Sequence, residues 1–368
     1  MVSSDPMDEL IEQRKADHLR FSAESDVDAR GGPGWGDIRL VHEALPEIDQ
    51  GDVNLTIEFL GRSLKAPLVI AGMTGGHRTA HEVNAVLARA AERYGLAMGV
   101  GSQRAALRRP DLAYTYTVVR EQAPTAFVIA NIGAPQLIAQ ANAQPLGVAE
   151  VQQALDMITA DALAVHLNYL QEAVQPEGER NARGVADAIA KLVTSVHVPV
   201  MAKETGGGMS RSTAKRLQEL GVKALDVGGM GGTSFAAVEG LRAEAQGEQQ
   251  SQRLGEVLRD WGVPTPIAVV NACSTGLPVI ATGGIRTGLD AAKALALGAT
   301  LVGMARPLLQ VALQGDQAVS ALIEQFLLEL RTVLFLTGSA DVRALQGKQR
   351  VVTGRTKEWL AQSDEPTV

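Results

Sequence analysis

Eight short apolar runs, at residues 68–71, 96–100, 127–130, 163–167, 198–202, 224–227, 278–281 and 301–304, recur along the chain with helix-like segments between them. Between the runs the apolar period changes to 3.6, as in Val83, Val86, Leu87, Ala90 and Tyr94, or in Ala214, Leu217 and Leu220. Three helix ends repeat one joint, a glycine followed at once by the next strand: Gly95 before Leu96, Gly221 before Val222 and Gly298 before Ala299. Glycine suits the left-handed position just past a helix. Eight parallel strands alternating with helices close into a (β/α)8 TIM barrel more naturally than they lie in an open sheet, which usually has fewer strands. The expected fold class is therefore α/β, a single barrel. An open doubly wound sheet is the alternative.

Around that frame the 368 residues divide into an N-terminal arm or lid at 1–36 and a barrel domain at 37–368. The first 20 or so residues look helical and polar, and carry Arg14, Lys15 and His18. The Ser/Asp/Gly/Pro-rich stretch 22–36 has too few apolar groups to order itself. Residues 52–59 alternate Val53, Leu55, Ile57 and Phe59 with polar neighbours and run into the turn Gly61-Arg62, a hairpin suited to covering one end of the core. The stretch 242–253, rich in Gln, Glu and Ala, reads as an exposed helix or loop without catalytic content.

With only 4% aromatic residues in a 46% hydrophobic chain, Ala, Val, Leu and Gly must build the core. A net charge of -7 offers no basic field to draw in nucleic acid or an anionic membrane, so any anion must be held locally. The most apolar stretch, 321–336, is broken by Glu324, Glu329 and Arg331 and reads as an amphipathic helix packed on the core. No secretory leader is expected, because no apolar run follows the first charges. Cys273 is the only cysteine, which leaves no intrachain disulfide or Cys-rich metal site and fits a cytoplasmic protein.

Active sites of such barrels are built from the loops after the strands, so those loops are read together. After the fourth run, His166, Asn168, Gln171 and Glu172 crowd polar chemistry into seven residues. Alternation puts Ala162, Ala164, His166 and Asn168 on the barrel's inner face. Five of the eight loops are glycine-rich, including Met73-Thr74-Gly75-Gly76, the 228–234 loop with Thr233 and Ser234, and Gly283-Gly284-Ile285-Arg286. Backbone N–H groups after the seventh and eighth strands form the usual phosphate corner of this fold. Thr233 and Ser234 are candidates to add hydroxyl donors there.

Lys203 ends an apolar strand on the same parity as Met201, so it should project into the barrel mouth. A buried ammonium needs a negative partner, either Glu204 or another carboxylate, or a ligand ring that accumulates negative charge. A flavin satisfies both the phosphate corner and the lysine. Arg14, Lys15, Ser102, Arg104 and Glu172 suggest a second anionic ligand, since Arg and Lys neutralise phosphate oxygens. Glu172 would repel a diphosphate unless a divalent ion lay between them, which points to Mg2+. His77 and His81, four apart on a helix, lack the further ligands a metal needs.

These motifs together resemble the flavin-dependent type 2 isopentenyl-diphosphate isomerases over nearly the whole chain. The likeness runs from Arg14-Lys15-x-x-His18 through Gly101-Ser102-Gln103-Arg104, Asn131-Ile132-Gly133, the 166–172 heptapeptide, Lys203-Glu204 and Gly232-Thr233-Ser234 to Gly283-Gly284-Ile285-Arg286. The resemblance implies FMN against Met73, Thr74, Gly75, Ser102, Asn131, Lys203, Thr233, Gly284, Ile285, Arg286, Ala305 and Arg306. It implies substrate, isopentenyl or dimethylallyl diphosphate, against Arg14, Lys15, Ser102, Gln103, Arg104, His166, Asn168 and Gln171, and Mg2+ on Glu172. It further implies reduced FMN as the active form, NADPH as reductant, and a homo-oligomer, tetramer or octamer. Gln171, His166 and Lys203 are the catalytic candidates, with His166 open as a titrating group.

Two other readings use the same barrel. An FMN-dependent 2-hydroxy-acid oxidase or dehydrogenase resembles its relatives in a His-Gly-x-Arg-Gln motif, which is absent here, and an inosinate-type dehydrogenase needs a cysteine in the 228–234 loop, also absent. A non-enzymatic flavin or phosphate-binding scaffold would take up flavin without turning substrate over.

Overall fold

The computed structural model describes residues 6–141 and 143–363. Eight parallel strands close into a barrel: β1 Leu68–Ile70, β2 Ala97–Gly99, β3 Phe127–Gly133, β4 Ala162–Leu167, β5 Val200–Glu204, β6 Ala224–Asp226, β7 Val279–Thr282 and β8 Leu301–Met304. Each coincides with one of the eight apolar runs. Closure is made where β8 pairs with β1, Val302 opposite Leu68 and Met304 opposite Ile70. The open doubly wound sheet is excluded by that pairing.

Strand parity divides the side chains into two layers. Val69, Ala97, Phe127, Ile129, Ala162, Ala164, Met201, Ala224, Ile280 and Leu301 pack together inside the barrel. Their alternates, among them Leu68, Val128, Leu163, Val165, Ala202, Val279 and Val302, join the helices in the larger outer core. The 166-end of β4 therefore continues the inner face, as its alternation predicts. Short inner side chains leave the mouth of the barrel open for polar ones.

The hairpin closes the opposite end. Its strands, Ile57–Phe59 and Arg62–Leu64, are only three residues each, and Phe59 and Leu64 enter the inner cluster. Phe59 meets Phe127 edge-on at 5.6 Å between ring centroids. Such a contact adds about 0.5–1.5 kcal/mol beyond area burial. The glycine joints behave as expected, Gly95 at φ 61° closing the helix Arg78–Tyr94 through its N–H to Ala91 and Glu92 carbonyls.

The arm departs from its expectation. Its helix, α1, spans Pro6–Glu24, and the segment beyond it is ordered against the rim rather than loose. Val27, Ala29 and Trp35 are buried, and Asp28 forms an antiparallel bridge with Thr233. Ala29 N–H donates to Gly232 O and Ser234 N–H to Val27 O, while Arg306 and Arg259 hold carbonyls at Ser22, Ser25, Asp26 and Asp28. Three apolar side chains suffice because arginines satisfy the backbone between them.

The 242–253 stretch is largely helical and exposed, as expected, except at its start. It straddles two packed helices, α2 Phe235–Ala245 and α3 Gln249–Val257, and Arg242 at its start is buried. The amphipathic helix is Asp316–Leu336, packed on the core. No helix among the described residues is long and apolar enough to cross a membrane.

Candidate active site

One cavity at the strands' C-terminal rim gathers most of the predicted residues. Its empty space, the solvent-open part included, is about 1690 Å³. The lining includes Arg14, Lys15, His18, Met73, Thr74, Ser102, Arg104, Asn131, His166, Asn168, Gln171, Glu172, Lys203, Thr233, Gly284, Ile285, Arg286, Ala305 and Arg306. Gly75 and Gln103 are not among the lining residues. Gly75 instead lets the loop pass Tyr116, whose ring atoms would lie 2.1 Å from an added Cβ.

The phosphate corner is built by close backbone approach. An added Cβ on Gly232 would lie 2.6 Å from the Gly284 nitrogen, and one on Gly283 would lie 2.4 Å from the Gly229 carbonyl. Side chains are excluded there, so main chain faces the cavity. Two hydroxyls that this mouth holds, Ser102 Oγ and Thr282 Oγ1, are buried without a partner, which fits a polar ligand in contact with them. Ser234 is not among the lining residues, and its Oγ caps α2 by accepting from Ala237 N–H.

On the wall of β3 and β4, His166 Nδ1 lies 2.8 Å from Asn131 Oδ1. Asn131 Nδ2 donates to Val100 O, so its oxygen faces the ring and His166 carries its proton on Nδ1. Burial, then the charges of Lys203, Lys15 and Arg104, push His166 down to about 3. That shift favours a neutral imidazole at physiological pH. Gln103 is fully buried behind this pair. It accepts from Asn131 N–H at 3.0 Å and donates to Ala154 O at 2.7 Å, so it fixes the wall instead of touching substrate.

Lys203 does project into the mouth. Its Nζ donates to the Glu204 carbonyl at 3.0 Å and stands 3.7 Å from Asp226 Oδ2. The Glu204 carboxylate turns away, accepting from Gly206, Gly207 and Gly208 N–H at 2.6, 2.5 and 3.0 Å. The carboxylate partner of Lys203 is therefore Asp226, at a distance that leaves room for a further negative group.

Opposite, Arg14, Lys15 and Arg104 bring three cations together. Burial, then Arg14 and Arg104, lower Lys15 to about 7, with Glu172 pulling the other way. Such a group of cations suits an anion, although Arg104 is itself paired with Glu179. Glu172 is buried and accepts from Asn168 Nδ2 at 2.9 Å and from Glu179 N–H at 2.7 Å. No group of three or more His, Cys, Asp or Glu poised for a metal occurs among the described residues. Mg2+ needs only one or two carboxylates beside substrate phosphates. Glu172 with the unpartnered, buried Asn168 Oδ1 fits that donor set, and Glu179 Oε2, also buried without a partner, lies behind the lining.

Glu239 and Arg242 are among the site residues that carry no signal in the sequence. Glu239, fully buried on α2, accepts from Gln171 Nε2 at 2.8 Å and lies 2.7 Å from His18 Nε2. Arg242 Nη1 donates to its other oxygen at 2.5 Å and Arg242 Nη2 to Glu177 at 3.0 Å. Burial alone would raise the Glu239 carboxyl, but His18, Arg242 and Gln171 together hold it at about 2. Burial pushes the His18 imidazole below its ordinary range, while the Glu239 carboxylate beside it pulls the other way. Gln175, with its amide oriented to satisfy both ends, bridges Glu239 Oε1 at 3.1 Å and Arg14 Nη1 at 3.0 Å. A Glu and an Arg three apart on a helix give no sign, in sequence, that they are buried.

A family model described as FMN-dependent dehydrogenase matches residues 12–352. Isopentenyl-diphosphate delta-isomerase of Methanoregula boonei is 50% identical over 349 residues, 94% of this chain and 95% of that protein. The protein of the same name from Archaeoglobus fulgidus is 49% identical over 95% of this chain and 98% of its own. Among solved structures, a Pediococcus acidilactici lactate oxidase aligns with TM-score 0.67 at 16% identity over 94% of each chain. A mandelate oxidase variant aligns with TM-score 0.62 at 20% identity over 94% of this chain and 98% of its own. The oxidases share the barrel, which at such identities is a likeness of fold alone. On the match over nearly its whole length, the chain belongs to the FMN-dependent dehydrogenase family and, within it, to the type 2 isopentenyl-diphosphate delta-isomerases.

Proposed function

We propose that the chain interconverts isopentenyl diphosphate and dimethylallyl diphosphate by an allylic proton shift, as the names of its relatives imply. The observation that carries this is the meeting, in one cavity, of a main-chain phosphate corner, a lysine beside it and a separate cluster of Arg14, Lys15 and Arg104. One ligand with a single phosphate group does not account for both anion sites. FMN fits the first and a diphosphate ester the second.

The reaction moves a proton and leaves the oxidation level unchanged, so it needs an acid, a base and dry surroundings. Reduced FMN, when bound, supplies an electron-rich ring whose nitrogen can exchange a proton. Lys203 sets a positive charge at that end of the cavity, offset by Asp226. Arg14, Lys15 and Arg104 would grip the diphosphate, and Glu172 with Asn168 would hold Mg2+, which would supply positive charge beside it. Neutral His166 and Asn168 orient the substrate from the wall of β4.

Gln171 is an amide and a poor proton carrier alone. Its Nε2 is aimed by the ionised Glu239, and Glu239 is joined in turn to His18 on the arm. The chain Gln171–Glu239–His18 orients the amide and ties it to the arm side of the cavity. The arm at 1–36 acts as a lid that excludes water, since it carries Arg14, Lys15 and His18 into the cavity lining. NADPH as reductant, a homo-oligomeric assembly and a cytoplasmic location complete this reading and rest on the resemblance.

The test is direct. Protein is incubated with FMN, dithionite or NADPH, Mg2+ and isopentenyl diphosphate in D2O, and NMR follows the isomer and its deuterium. Isomer formation with deuterium uptake is expected. Flavin uptake without turnover would leave only the scaffold reading.

A further inference from the structure

We infer that Glu179 makes this site select a metal-bound diphosphate over the free anion, an inference that rests on the diphosphate reading above. Nothing in the sequence motifs singles Glu179 out. It lies in the turn after the short helix Tyr169–Val174, where Gly178 lets the chain fold back: an added Cβ there would stand 1.8 Å from the Glu172 carbonyl oxygen. That close return brings Glu179 N–H to Glu172 Oε2 at 2.7 Å and its carboxylate onto Arg104 Nη2.

Both partners of the Arg104–Glu179 pair are mostly buried, at 14% and 12% exposure. Breaking such a pair leaves an uncompensated buried charge. A free diphosphate that takes Arg104 must therefore displace Glu179 from it, and then sits beside two carboxylates. The local count is three basic groups, Arg14, Lys15 and Arg104, against Glu172 and Glu179, which leaves at most one net positive charge, reached when Lys15 is protonated. A diphosphate ester carries about three negative charges near neutral pH, and about one once Mg2+ is bound. The site matches the second and not the first.

The oxygens left over agree with this assignment. Glu179 Oε2 and Asn168 Oδ1 are buried without partners, and both belong to the hydrogen-bonded cluster around Glu172. With the ion in place those oxygens gain a positive group, and Arg104 is freed to turn to phosphate. Glu179 is thus a specificity-determining residue that acts through Arg104 and the metal.

The experiment uses the FMN-loaded protein and inorganic pyrophosphate as probe, titrated by calorimetry with Mg2+ and again with EDTA. In wild type, Mg2+ should tighten binding at least a hundredfold. Glu179→Gln keeps the shape and removes the charge, so metal-free pyrophosphate should bind about tenfold tighter and the Mg2+ effect should shrink by a similar factor. Glu179→Asp should keep the wild-type ratio. An unchanged ratio in Glu179→Gln overturns the inference while the diphosphate reading stands. A wild type that binds no pyrophosphate in either condition overturns the diphosphate reading itself. If Glu179→Gln does not fold, Glu179→Ser takes its place with the same expected and overturning results.

Discussion

Gln171 and Glu239 are 68 residues apart in the chain, yet the Gln171 amide donates to the Glu239 carboxylate at 2.8 Å. An ionised partner fixes the orientation of the amide: the nitrogen points to Glu239, and the oxygen lies on the Asn168 side, where it accepts from Asn168 Nδ2 at 3.3 Å. Glu239→Gln removes the charge and keeps the size. Turnover should fall about 10²- to 10³-fold, the usual worth of a positioned proton-transfer group. FMN affinity, read by quenching of flavin fluorescence, should stay within a factor of two. A variant with more than half the wild-type rate would reduce the contact to packing.

The same carboxylate links stability to pH. Its folded value, about 2, lies below the ordinary carboxylate range. A depressed pKa stabilises the fold fully above the unfolded value, and that contribution is lost as pH falls from about 4.5 towards 2. The size is on the order of 3 kcal/mol. Urea unfolding at pH 7, 4 and 3 should show a steeper loss in wild type than in Glu239→Gln. Parallel curves for the two proteins would sink the link.

Lys15 should take up a proton when the diphosphate arrives. Its ammonium is held near 7 by burial and by Arg14 and Arg104, so at pH 8 it is largely neutral in the free protein. A bound polyanion raises that value, and binding at pH 8 then draws protons from the buffer, towards one per site. Calorimetry of pyrophosphate in buffers of different ionisation enthalpy measures the uptake. Lys15→Met should abolish it and weaken binding roughly tenfold or more, as loss of a charge-assisted contact does.

His166 should not titrate in the working range. Burial and three nearby cations hold it near 3, and Asn131 fixes its proton on Nδ1. The imidazole carbon shift, followed by NMR with labelled histidine, should be flat from pH 5 to 9. Asn131→Asp sets a carboxylate against Nδ1, which favours the charged ring, so a titration should enter that range. A wild-type ring that titrates near 6.5 would restore His166 as an acid or base.

The barrel was legible because its signals are local. Each strand is a short apolar run bounded by a helix with its own period, and the glycine joints at Gly95, Gly221 and Gly298 mark where one gives way to the other. The rim could be read for the same reason, as the residues just after each run. What could not be read depends on contacts made far along the chain. Val27, Ala29 and Trp35 are too few to suggest order until the rim they dock on is known. Glu239 and Arg242 look like any i,i+3 surface pair on a helix, and only the packing of α2 beside His18 and Gln171 buries them. Gln103 misled in the opposite way. It stands between Ser102 and Arg104, which do line the cavity, but its own side chain points into the wall.

Asp28 ties the arm to the phosphate corner. Its carboxylate pairs with Arg286 Nη2 at 2.5 Å and Arg306 Nη1 at 2.9 Å, while its backbone bridges Thr233. The arm that carries Arg14 and Lys15 is thereby anchored on the residues expected to hold the flavin phosphate. Asp28→Ala should loosen the arm without unfolding the barrel, since the pairs are partly exposed and worth about 1 kcal/mol each. Trypsin should then cut within 1–36 several-fold faster, and pyrophosphate should bind several-fold more weakly because two of its cations ride on α1. FMN should bind as tightly as before or more so, because a negative charge has left the corner. Equal cleavage rates in the two proteins, with unchanged pyrophosphate affinity, would show that the remaining bonds from Arg306 and Arg259 to arm carbonyls hold the lid by themselves.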